Sequence, residues 1–152
     1  MNGMPSRWDW FDDSRTIAIV SLEGEWSKQD LIDHTIYFWP QLEQQSHTVD
    51  IIVDLRGAQR LPSQPITTLI WMAKHRPANA GRVVFVVRRP VGLALARALN
   101  QTMARLFPRF HILGTLTPED AVRLLTASVG KVDSRSSSAV EAGNQLPSVF
   151  PR

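Results

Sequence analysis

Four short runs of apolar and β-branched residues alternate with segments whose apolar residues recur every three to four positions, which confines the chain to a sheet with crossover helices. The runs are Thr16–Leu22, Asp50–Leu55, Arg82–Arg88 and Phe110–Leu113. The second, a short apolar run with acidic punctuation, is what a strand covered on both faces looks like, and the third is the strongest strand signal in the chain. Ser27 caps the first helical segment, with Asp30 three residues later. Its apolar stripe includes Leu31, Thr35, Phe38, Trp39 and Leu42, and Pro40 inside it predicts a kink or an interrupted last turn. Gly57–Gln64 reads as a loop, with Ser63 or Gln64 capping a helix that Pro65 starts. Ile66, Leu69, Ile70 and Ala73 form the apolar face of that helix, and Asn79-Ala80-Gly81 reads as a turn. A third helix is expected over Val91–Phe107, and Thr117-Pro118 opens a fourth.

An aromatic segment, Arg7–Phe11, precedes the turn composition Asp12-Asp13-Ser14 and forms a hairpin with the first run. Trp8 and Trp10 share one face of this edge strand. Exposed there, they would mark an interaction surface through which two copies could also pair. The expected fold is therefore α/β: a mixed, mostly parallel sheet of about five strands with four helices. One domain is expected over residues 1–128. Residues 129–152, rich in Ser, Gly and Pro without periodicity, read as a disordered tail.

Composition removes several function classes. Hydrophobic residues make up 43% and charged residues 20% of the 152, enough for a folded core. The absence of cysteine excludes disulfides and thiolate chemistry. No apolar run approaches the ~20 residues of a membrane span, and no leader is visible, so a cytoplasmic location is expected. The net charge of +3 comes from arginines spread along the chain, which does not point to nucleic acid. Phosphate-loop, dinucleotide, nucleophile-elbow and zinc-helix motifs are absent. His34, His47, His75 and His111 lie on separate segments without ligand spacing, so no catalytic residue, metal or cofactor is expected.

Three local sequences, in order, resemble the STAS family, which includes anti-sigma-factor antagonists and the cytosolic domains of sulfate transporters. They are Ser21-Leu22-Glu23-Gly24-Glu25, Ile51–Ala58 with its Asp54-Leu55, and Gly81–Val87 followed by Pro90-Val91. The resemblance covers about residues 8–127. It implies a STAS-like fold and a non-catalytic regulatory module with a protein partner, such as an anti-sigma-factor-like kinase. In the antagonists, a serine or threonine before the second main helix is phosphorylated. Ser63 occupies that place, but Pro62, Gln64 and Pro65 depart from the Asp-Ser-Ser/Thr-Gly pattern. A phosphate at Ser63 would sit near a helix start, with Arg56, Arg60, Arg88 and Arg89 expected on the same strand-end face. Those arginines equally suit a sensor of a small anionic ligand, nucleotide or lipid.

Overall fold

The computed structural model describes residues 6–60 and 64–127. Its elements are β1 (Ser6–Trp10), β2 (Ile17–Glu25), α1 (Lys28–Glu43), β3 (Val49–Arg60), α2 (Pro65–His75), β4 (Ala80–Val86), α3 (Pro90–Leu106) and β5 (Ile112–Thr115). A further helix, α4, is described over 118–127. The chain divides into two units, Met1–Ala121 and Val122–Arg152. In the second, the described residues 122–127 are helical, and the Thr126 hydroxyl donates to the carbonyls of Val122 and Arg123. The expected tail at 129–152 lies outside the described residues.

The five strands stand in chain order, β1-β2-β3-β4-β5. β1 is antiparallel to β2, and the remaining neighbours are parallel. Each crossover steps one strand further in the same direction. Right-handed crossovers of that kind place every connecting helix on one face, and side chains of α1, α2 and α3 do meet the same sheet face. Across that face run two rows, Trp10–Ala18–Ile51–Val83–Ile112 and Trp8–Val20–Val53–Phe85–Gly114. A Cβ on Gly114 would lie 3.1 Å from that of Ala96, so glycine lets α3 settle closely on β5. On the other face, Ile52, Val84 and Val86 are fully buried.

Several boundaries differ from those expected. β3 does not stop at Leu55 but continues to Arg60, because β2 also runs on through Gly24 and pairs with it: Glu23 lies opposite Gly57, Gly24 opposite Ala58 and Glu25 opposite Arg60. Gly24 takes φ +81° where the register shifts, a conformation that favours glycine. Ala80 and Gly81, expected in a turn, open β4. α1 runs through Pro40 to Glu43. Proline removes the N–H that would have met the carbonyl of Ile36, a residue that is itself exposed.

Local contacts explain the helix positions. Ser27 Oγ accepts from Asp30 N at 3.0 Å and Asp30 Oδ2 accepts from Ser27 N at 2.9 Å, a complete capping box. Asn79 Nδ2 donates to the carbonyls of Leu42, Gln45 and His47 at 2.7, 3.2 and 3.1 Å, tying the end of α1 to the entry of β4. The N-cap of α2 is Gln64, which makes no side-chain capping bond; Ser63 lies outside the described residues.

Candidate functional site

The layer between the helices and the sheet is not continuous. Ala18, Val20, Leu22, Phe38, Leu42 and Ile51 belong to one buried cluster, under α1. Leu69, Ala73, Ala96, Met103, Phe110 and Ile112 form a second, under α2 and α3. A cavity of about 290 Å³ is lined by members of both. Its size is close to the lower end of ligand pockets, roughly 300–1,000 Å³. The sheet records the gap: Val53, Leu55, Val83 and Phe85, which face the helices, are only half-buried, whereas Val84 and Val86, facing away, are 0% exposed. Leu95 of α3 lines the cavity while 52% exposed, with Val91 one turn earlier 73% exposed, so the rim on this side is apolar.

The few polar groups in the wall are largely committed. Thr35 Oγ1 donates to the Leu31 carbonyl at 2.7 Å, and Thr68 Oγ1 to the Gln64 carbonyl at 3.0 Å. His34, 5% exposed, stacks on Phe38 (5.9 Å, 19°) and meets Trp26 edge-on (6.0 Å, 85°). Burial holds its imidazole below the usual histidine range. Among the described residues no aspartate or glutamate lines the cavity, and the two charged lining residues are Arg76 and Arg88. Arg76 donates to the carbonyls of Ala80 (3.4 Å) and Arg109 (3.2 Å), with its guanidinium 5.7 Å from the Phe110 ring centre.

Among the arginines expected on the strand-end face, the structure brings Arg56 and Arg88 together. Arg56 makes a two-pronged bond to Asp54, Nε–Oδ1 at 3.0 Å and Nη2–Oδ2 at 2.9 Å, and Arg88 Nη2 donates to the Arg56 carbonyl at 2.8 Å. Burial would raise the Asp54 carboxyl, but the bonds from Arg56 outweigh it and hold the group below the usual carboxylate range. The bond to Asp54 raises the Arg56 guanidinium in turn, with a smaller effect from Glu119. Arg89 is the exposed N-cap of α3. Arg60 ends β3, on the strand and not in a loop.

Trp8 and Trp10 do share a face, but it is the helix-bearing one. Their rings meet edge-on at 5.5 Å, and Trp8 packs on Phe38 at 4.9 Å. Both are half-buried outliers of the core, where an exposed aromatic patch was expected. Among the described residues, no group of three or more His, Asp or Glu is placed to hold a metal ion, and no helix is long and apolar enough to cross a membrane. Sequence reasoning did not find the cavity. Its wall residues look like ordinary core positions, and only their failure to meet across the layer distinguishes them.

No protein-family model matches the chain, and no curated protein does. Among solved structures it is similar to the crystal structure of an uncharacterized protein of the DUF3478 family, with a SpoIIAA-like fold, from Shewanella loihica PV-4. The TM-score is 0.57 at 12% identity, covering 82% of this chain and 97% of that one. Together with the mixed five-stranded sheet and its helices, this likeness identifies the fold of the protein as SpoIIAA-like.

Proposed function

We propose that this chain is a non-catalytic, cytoplasmic regulatory domain that holds an apolar small molecule between its helices and its sheet. The observation that carries the reading is the cavity dividing the helix-side core. The cavity opens at the exposed Leu95, so its apolar lining is left in contact with solvent. A ligand that covers this surface gains roughly 25 cal/mol for each Å² it removes from water. The committed wall hydroxyls disfavour nucleotides and sugars, which leave buried polar groups needing partners.

Thermal unfolding of the full chain with nucleotides, inorganic phosphate or long-chain apolar molecules tests this. Stabilisation by the apolar class alone is expected, rising with concentration as linkage requires. Stabilisation by nucleotides alone, or by nothing, would sink the reading.

A second reading, a partner-switching module, is supported by Arg56, Arg88 and Arg89 near the strand ends. Capture of one kinase-like partner by the wild type and its loss with Ser63→Glu is the expected result. Equal capture by both forms would remove Ser63 from the mechanism.

A further inference from the structure

We infer that the ligand is a long, unbranched carboxylate of the fatty-acid class, lying along β4 with its head group at Arg88. This rests on the cavity being a ligand site and deepens that reading.

Shape comes first. The lining includes Gly81 near one end of β4 and Val87 and Arg88 just past the other. Six residue steps at about 3.3 Å each give a length of about 20 Å. The lining also reaches Val20 and Leu22 on β2, so the cavity spans three strands in width, while a chain extended along β4 fits its length. Phe85 and Leu99 line it along β4 and α3 and Phe110 its far end, so most of the wall offers dispersion contacts; the polar lining groups among the described residues are His34, Thr35, Thr68, Arg76 and Arg88.

Charge decides the head group and its end. Among the described residues both charged lining residues are cations, and no carboxylate lines the cavity to repel an anion. Arg76 is held by two carbonyls and lies over Phe110, so it closes the far end as part of the wall. Arg88 is exposed, gives Nη2 to the Arg56 carbonyl, and has no ion-pair partner among the described residues. An arginine has five N–H donors in a planar fork that matches a carboxylate. The neighbouring carboxylate of Asp54 is already engaged by Arg56 and does not compete for it. A carboxylate at Arg88 leaves its chain running past Leu95 into the apolar interior. At Gly92 the helix sits directly on Val87, where a Cβ would lie 2.8 Å from that of Val87, so this contact is wall and not channel.

The test is titration of the full chain, by calorimetry and by intrinsic tryptophan fluorescence, to which Trp39 in the cavity wall contributes, with hexadecanoate and with uncharged hexadecan-1-ol. Wild type, Arg88→Gln, Arg88→Lys and the cavity-filling Val53→Phe are compared, each first shown to unfold cooperatively. One equivalent of hexadecanoate is expected to bind, with affinity reduced about tenfold in Arg88→Gln and partly restored in Arg88→Lys, as loss of a charge-assisted bond predicts. Hexadecan-1-ol should bind wild type and Arg88→Gln alike, and Val53→Phe should weaken both ligands. If the acid and the alcohol bind wild type equally and Arg88→Gln alters neither, the head-group assignment is overturned while the apolar-ligand reading stands. That comparison on wild type decides the point even if an Arg88 variant fails to fold. If neither ligand binds, or Val53→Phe leaves binding unchanged, both the assignment and the reading fall.

Discussion

At the scale of single residues, His34 links burial to pH. Its ring is enclosed by Trp26 and Phe38, and burial lowers its pKa in the folded state. The unfolded chain, with a histidine pKa of about 6.5, therefore binds the proton more readily. The stability due to neutral His34 is complete above that pH and is lost as pH falls from about 6.5 toward the lower folded value. The thermal midpoint is expected to fall between pH 7 and pH 5, and His34→Leu should flatten that decline. A separate acid limb belongs to carboxylates. Burial would raise Asp12, but bonds from Ser14 and Thr16 more than offset it, and Asp54 is lowered in the same way by Arg56. Their contribution is present above about pH 4 and lost as pH falls through the depressed folded values, so it should survive in His34→Leu.

At the scale of elements, the ends of α1 are secured by unlike means. The N-terminus closes on itself through Ser27 and Asp30, a local device written in four consecutive residues. Ser27→Ala should cost about 1 kcal/mol in chemical denaturation, with the midpoint shifted and the slope unchanged. The C-terminus instead depends on Asn79, more than thirty residues away, whose amide gathers three carbonyls. The extension of β2 and β3 is equally non-local. Gly57 and Ala58 carry turn-like composition, yet opposite Glu23 and Gly24 they find ladder partners and remain strand.

For the unit Met1–Ala121 as a whole, one-directional crossovers put α1, α2 and α3 in one layer on the same face of the sheet. The unit Met1–Ala121 fills that layer in two clusters and leaves the space between them lined but unfilled. Val53, half-buried at the middle of β3, faces that space. Val53→Phe is therefore expected to stabilise the ligand-free protein by about 0.5–2 kcal/mol, the usual range for filling a cavity. A destabilised variant would mean that the space is smaller than the structure shows.

What the sequence by itself determined was the kind and order of the elements. β-branched runs, a capping box at Ser27 and proline at the start of α2 and α3 act through neighbours a few residues apart, so they are legible without tertiary contacts. The STAS resemblance drew on the same local signals, and the SpoIIAA-like fold agrees with it. Tertiary structure alone decided where strands end, since pairing partners set that, and which face Trp8 and Trp10 turn toward. It also decided the site. A cavity is a shortfall in packing between residues far apart in the chain, and each wall residue, taken singly, has the same apolar character as one that packs without a gap.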